Sequence, residues 1–360
     1  MAFPAEFQDA APSDGADSGL APLLEVRDLT VSYARRRDRG SPKTAAEGPR
    51  AVRDVALSVP RGETLGLVGE SGSGKTSAGL AILNLVAATG SVVFDGEEIL
   101  GLQGSKMRQL RRRMQMVFQD PTASLDPRMT VRRIISMPIK AHEIAGGNDI
   151  DALVASTLEK VSLSPAVMNR YPHQLSGGQR QRVAIARALA TAPDFIVCDE
   201  VTSSLDVSVQ AQVVNLLMDL QSDLGLTLLF ISHNLGVVRQ VSGFIAVMYL
   251  GRIVEAGAAE QIYSSAVHPY TRALLEAVPS PDPEVEAHRS RLFLQADVTT
   301  PRALASWSGG CVYRQRCPFA TDLCRDSEPE LASSAAGHQV ACHYSDQIQA
   351  GTASRNKGPE

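Results

Sequence analysis

Three short stretches of this sequence carry residue types suited to phosphate chemistry. Gly69-Glu70-Ser71-Gly72-Ser73-Gly74-Lys75-Thr76 fits the pattern G-x-x-x-x-G-K-[ST] of a phosphate-binding loop. Its glycines let the backbone curl until successive N–H groups point at phosphate oxygens. The helix starting near Lys75 adds its positive end. Lys75 offers a point charge to the β and γ phosphates of ATP, and the Thr76 hydroxyl can ligate Mg²⁺. Further on, the apolar run from Phe195 to Cys198 leads into Asp199 and Glu200. Two carboxylates ending a buried strand are costly unless they hold a cation or do chemistry. Asp199 suits the Mg²⁺ shell, and Glu200 suits a base that orients and deprotonates an attacking water. Leu175-Ser176-Gly177-Gly178-Gln179 then places Ser and two Gly directly before a long helix, an exposed anion-binding helix start. It is a second phosphate site in a chain that already has one.

The elements around these stretches are those of a parallel-sheet nucleotide fold. ETLGLVG (63–69) is a short apolar strand running into the loop, and TSAGLAILNLV (76–86) is helical. LLEVRDLTVSY (23–33) alternates like a strand, AVRDVALSVPRG follows as a second strand and turn, and SVVFDGEEI (91–99) reads as a hairpin. MQMVFQ, DFIVCDE, LTLLFIS and FIAVMYLG read as further strands. Residues 121–175 are mostly helical with Pro breaks, and QRQRVAIARALA (179–190) is a clear helix. Beyond about residue 263 the pattern turns to short Pro-punctuated helices and a cysteine-rich segment.

With these motifs in this order, the sequence resembles the ABC ATPases, whose signature is LSGGQ. The resemblance implies an α/β P-loop NTPase with a RecA-like core, a helical subdomain at about 121–190, and a small Cys-rich C-terminal extension. It implies a nucleotide-binding domain over 22–262 and an extension over 263–345, between disordered tails at 1–21 and 346–360. In this family Ser176–Gln179 of one subunit meets the γ-phosphate held by the loop of another, so ATP closes two subunits face to face. Residues are carried over by match. Tyr33 falls where an aromatic ring stacks on adenine. Gln119 matches the glutamine that senses Mg²⁺ and water. Asp206 matches the residue that communicates across the dimer, and His233 matches the histidine that holds the γ-phosphate. Two positions depart from the pattern: Val201 stands where Pro usually follows the catalytic Glu, and Asn234 stands where Asp usually follows the His.

VFQDPTASLDPRMTV (117–131), VMYLGRIVEAG (247–257) and HPYTRALLEAVPSPDP (268–283) resemble the ATP-binding subunits of bacterial dipeptide/oligopeptide importers. That likeness covers about residues 23–345. It implies a companion ATPase in a heterodimer, two membrane permeases gripped by the helical subdomain, and a separate solute-binding protein. The chain would then sit at the cytoplasmic face of the cell membrane. Nickel and glutathione importers share this subunit type, and a non-transport ABC ATPase is the remaining alternative.

Composition narrows the choice. Lys plus Arg total 35 against 39 Asp plus Glu, a net charge of −4, which gives no support to nucleic-acid binding through bulk charge. No apolar run approaches the roughly 20 residues of a membrane-spanning helix. No sustained heptads suggest the coiled coils of chromosome-maintenance ATPases, and the single head differs from the paired heads of translation-associated relatives. Of five cysteines, Cys198 reads as a small buried apolar residue. Cys311, Cys317, Cys324 and Cys342 crowd one segment, with five, six and seventeen residues between them. They could bind Zn²⁺ or a [4Fe–4S] cluster, or remain free thiols. The lack of paired C-x₂₋₄-C knuckles and the Cys317-Pro318 step favour the cluster, with His338 and His343 as substitute ligands or surface residues.

Overall fold

The computed structural model describes residues 21–33, 50–147, 149–203, 205–277, 309–333 and 337–353. The chain begins with β1 (Leu24–Ser32) and β2 (Arg50–Val59), enters β3 (Thr64–Val68), turns into α1 (Lys75–Ile82), and continues through β4 (Thr89–Phe94) and β5 (Glu97–Glu98). Next come α2 (Gly104–Arg113), β6 (Met114–Val117), α3 (Pro121–Ser124), α4 (Val131–Ala141), α5 (Asp149–Lys160) and α6 (Gly177–Leu189). The core closes with β7 (Phe195–Asp199), α7 (Val207–Leu224), β8 (Thr227–Ser232), α8 (Leu235–Val241), β9 (Phe244–Tyr249) and β10 (Arg252–Ala258). The rest comprises α9 (Ala259–Ser265), α10 (Pro269–Glu276), α11 (Asp322–Asp326), β11 (Ala332–Ser333), β12 (Gln339–Val340) and α12 (Ser345–Gln349).

Two sheets result, one in the order β2-β1-β4-β5 and one in the order β11-β12-β10-β9-β3-β8-β7-β6. In the second, β9, β3, β8, β7 and β6 run parallel. Such strands are covered on both faces and therefore read as unbroken apolar runs; every residue of β8 and β9 is buried. Their side chains still alternate. Ile196, Cys198, Leu228 and Phe230 join a core shared with the helical region. Phe195, Val197, Leu229 and Ile231 join a core shared with α1 and the antiparallel sheet. β1 has one covered face and shows the mixed burial its alternation predicts.

Parallel strands place their sites beyond their carboxyl ends. Here β3 delivers Lys75, β6 delivers Gln119, β7 delivers Glu200 and β8 delivers His233, from strands ordered β3-β8-β7-β6. The helical segment is broken where proline requires it, by short 3₁₀ turns at Pro165–Asn169 and Pro172–Gln174. The extension is stitched to the core sheet: β12 pairs antiparallel with β10, and the Ala341 N–H donates to Val254 O at 2.9 Å. Residues 346–353 depart from the expected tail. Ser345–Gln349 is helical because Ile348 finds a buried place and its carbonyl accepts from Arg272. The tail expected at 1–21 lies almost wholly outside the described residues.

Candidate active site

β3 ends at Val68, and the chain turns through Gly69–Gly74 into α1. Gly74 has φ 106°, and a Cβ there would collide with the carbonyl oxygen of Ala51. Only glycine fits both conditions. Lys75 is buried, and its Nζ donates to the carbonyl oxygens of Gly69 and Glu70 at 2.8 and 2.9 Å. Burial lowers its pKa, opposed by the charges of Glu200, Asp199 and Glu70. The ammonium is thus held inside the loop, where a phosphate oxygen would meet it.

Thr76 Oγ1 donates to Asp199 Oδ1 at 3.0 Å, joining α1 to β7. Burial raises the Asp199 carboxyl, the Thr76 bond opposes this, and the neighbouring Glu200 charge adds to it. A buried carboxylate beside a hydroxyl is a donor set for a hard divalent cation, whose charge would relieve that burial. These residues therefore fit Mg²⁺.

Glu200 follows β7 directly. Its φ of 44° is in the left-handed region, and its N–H donates to Ile231 O of β8 at 2.9 Å. Its carboxylate is held on both sides: Gln119 Nε2 donates to Oε2 at 2.8 Å, and His233 Nδ1 lies 3.3 Å from Oε1. Three residues from three separate strand ends meet at one carboxylate. Glu200 and Gln119 border a cleft of about 420 Å³ lined also by Tyr33, Ala51, Ser71, Gly72, Gly74, Lys75, Thr76 and Ser77. Ser73 is buried beneath it. Tyr33 is 44% exposed at the rim, and its hydroxyl donates to Ser77 Oγ at 3.1 Å.

Ser176, Gly177, Gly178 and Gln179 are not among the walls of that cleft. Ser176 is exposed at the start of α6. A reciprocal cap orders it: the Gln179 N–H donates to Ser176 Oγ at 3.3 Å, and the Ser176 N–H donates to Gln179 Oε1 at 3.1 Å. At Gly178 a Cβ would come within 2.6 Å of Val209, so glycine permits α6 to lie close against α7. Asp206 caps α7 by accepting from Val209 N at 2.9 Å. Both departures from the family pattern are structurally absorbed. Val201 is fully buried, and Asn234 caps α8 by accepting from Val237 N, as an Asp would.

The cysteine expectation finds no support among the described residues. Burial pushes the Cys311 and Cys317 thiols up to about 11 and about 12, and the other cysteines of the group contribute, so the four lie within electrostatic reach. Even so, no group of three or more His, Cys, Asp or Glu side chains among the described residues is arranged to hold a metal ion. Local bonds engage two of the sulfurs, Cys324 with Thr321 Oγ1 and Cys342 with the Tyr344 N–H. Nothing among the described residues supports a [4Fe–4S] cluster or zinc at these cysteines. His338 is not a surface residue: it is buried, with Nε2 2.8 Å from Glu255 Oε1. His343 bonds to the Ser327 carbonyl oxygen. Cys198 is fully buried, its thiol pushed up to about 12.

Sequence reasoning missed the residues that fasten the extension. Buried Glu255 accepts from the N–H groups of Val267 and His268 at 2.7 and 3.1 Å, besides facing His338. Arg316 donates to Glu70 within the phosphate-binding loop. A Glu among the apolar residues that follow Arg252 in β10 (RIVEAGA) was the available signal for Glu255. No local pattern announced Arg316.

The chain matches the family model described as ABC transporter over residues 52–203. It matches the model described as oligopeptide/dipeptide transporter, C-terminal region, over 254–324. It is 48% identical over 322 residues to a Brucella ovis protein provisionally named as a peptide import ATP-binding protein, covering 89% of this chain and 97% of that one. It is 45% identical over 326 residues to the oligopeptide transport ATP-binding protein OppF of Salmonella typhimurium, covering 89% and 95%. Among solved structures, a dimeric ATP-binding cassette in a post-hydrolysis state with ADP and Pi aligns with TM-score 0.57 at 28% identity, covering 66% of this chain and 98% of that one.

Proposed function

The chain belongs to the ATP-binding subunits of ABC transporters, in the branch with the oligopeptide/dipeptide C-terminal region, and from this we propose that it hydrolyses ATP to power import of di- or oligopeptides. The observation that carries the proposal is Glu200, held between Gln119 and His233 at the mouth of the cleft containing Lys75.

The proposed division of work follows from these positions. The loop N–H groups and Lys75 bind the β and γ phosphates, and Tyr33 at the rim takes the adenine. Thr76 and Asp199, with Gln119 nearby, would hold Mg²⁺, which supplies charge neutralisation at the phosphates. Glu200 orients the water and accepts its proton, and attack is in line with no covalent enzyme intermediate. Gln119 and His233 fix the rotamer of Glu200, and His233 also holds the γ-phosphate.

Ser176–Gln179 is ordered by its reciprocal cap, has Ser176 exposed and does not line its own cleft, which supports a role in a partner's cleft. A companion ATPase would complete each site, so ATP binding favours a closed pair and hydrolysis releases it. Asp206, beside the signature helix at the start of α7, would carry signals across that pair.

Coupling to permeases has its own support. An apolar groove of about 590 Å³ lies against the helical region and is lined in part by Leu85, Phe118, Met129 and Met137. Phe118 and Met137 are 38% and 51% exposed, as expected of a docking surface. Phe118 is the chain neighbour of Gln119, so a permease element seated in the groove would sense the nucleotide cleft directly. No described helix is long and apolar enough to cross a membrane. We assign the chain to the cytoplasmic face, held there by two permeases and served by a separate solute-binding protein.

The test is Glu200→Gln in the assembled transporter. It should trap an ATP-bound pair and abolish turnover, and phosphate release at the wild-type rate would refute the role of Glu200.

A further inference from the structure

Glu70 follows Gly69 directly, in a loop that must receive a polyanion, and a carboxylate there repels phosphate. We propose that Arg316, in the C-terminal extension, is a positioning residue for the ATP site: it neutralises Glu70 and holds it in place, so that a loop carrying a carboxylate can bind ATP. The inference rests on the cleft being an ATP site.

Arg316 Nη1 donates to both carboxylate oxygens of Glu70, at 3.1 and 2.9 Å, across 246 residues of sequence. The side chains of Arg316 and Glu70 are 16% and 27% exposed, so solvent screens their charges only partly. The guanidinium is braced. It lies 6.0 Å from the ring centre of Tyr249 and 5.8 Å from that of Tyr313, and those two rings meet edge to face. Tyr249 ends β9, which pairs with β3, the strand that leads into the loop.

The backbone of Glu70 is pinned as well. Its N–H donates to the hydroxyl of Tyr270, on α10, at 2.8 Å, and its carbonyl accepts from Lys75 Nζ at 2.9 Å. The extension therefore grips one of the two loop residues whose carbonyls anchor the phosphate-binding lysine. A plain structural clip would predict that losing Arg316 lowers stability and leaves nucleotide affinity intact. Charge neutralisation predicts the reverse, because a partly exposed ion pair adds little to folding while an uncovered carboxylate acts on every incoming phosphate.

The experiment measures ATP KM and kcat of the assembled transporter, with thermal midpoints as a check on folding. Arg316→Ala should raise KM about tenfold and leave kcat within about threefold. Arg316→Lys, which keeps the charge, should stay within about threefold of wild type in both. Arg316→Ala combined with Glu70→Gln should recover most of the lost affinity, although the extension still lacks its contact. Glu70→Gln alone reads the same field without disturbing Arg316, and its KM should not exceed the wild-type value. An unchanged KM in Arg316→Ala, or a raised KM that Glu70→Gln fails to lower, would overturn the inference. Lys75→Ala is measured alongside: if ATP binding survives in it, the ATP-site reading itself fails, whereas its loss together with a normal Arg316→Ala removes only the present inference.

Discussion

Gln119 Nε2 donates to Glu200 Oε2 at 2.8 Å, joining the end of β6 to the end of β7. The bond holds a carboxylate whose backbone is already in the left-handed region. Gln119→Ala frees one side of Glu200 and leaves His233 on the other. Steady-state ATPase assays of the assembled transporter should show kcat falling roughly tenfold, less than the hundredfold or more expected for Glu200→Gln. Equal losses in the two variants would show that Gln119 does more than hold Glu200.

Lys75 is buried with its ammonium aimed at two loop carbonyls. Lys75→Ala removes the charge that phosphate would meet and leaves those carbonyls facing the cleft. Equilibrium binding of a fluorescent ATP analogue should weaken by at least tenfold, a loss of binding and not only of turnover.

Glu255 is fully buried and accepts three bonds that tie β10 to the start of α10 and to His338. Glu255→Leu leaves two backbone N–H groups and an imidazole without their acceptor. Urea denaturation should show a loss of about 2–4 kcal/mol. Glu255→Gln, which keeps acceptor oxygen, should lose less.

His268 caps α10 by accepting the Tyr270 N–H at Nδ1, so its proton sits on Nε2. Burial lowers its pKa to about 4, with Glu255 opposing. The unfolded chain therefore binds a proton near pH 6.5 that the folded chain refuses until about pH 4. The stabilising contribution is fully present above pH 6.5 and is lost as pH falls toward 4, by up to about 1.4 kcal/mol per pH unit. Chemical denaturation midpoints compared between wild type and His268→Asn should show a shallower acid limb in the variant.

Much of the active site was legible because its residues are local and chemically special. A loop that binds phosphate must carry its glycines and lysine together, and a buried strand ending in Asp199 and Glu200 declares itself by its cost. The strands were legible too, since every residue of β8 and β9 is buried and most of them are apolar. The attachment of the extension was not legible. Glu70 with Arg316 and Glu255 with His338 pair across 246 and 83 residues, and nothing periodic marks either partner. The cysteine spacing shows proximity along the chain only, and among the described residues no group of three or more candidate ligands is arranged around one point. Helix α12 was missed because a single buried residue, Ile348, holds a short polar segment in place.

The central claim is that Ser176–Gln179 completes a cleft on another subunit. The most direct measurement places a cysteine at Ser176 and another at Ser71, on the rim of the cleft, each in a separate copy or in the companion ATPase, and follows cross-linking with and without Mg-ATP. ATP should drive a high inter-subunit cross-linking yield in the Glu200→Gln background, and the yield should be lower in the hydrolysis-competent protein. A cross-link yield indifferent to ATP, with full-rate hydrolysis by an isolated monomer, would contradict it.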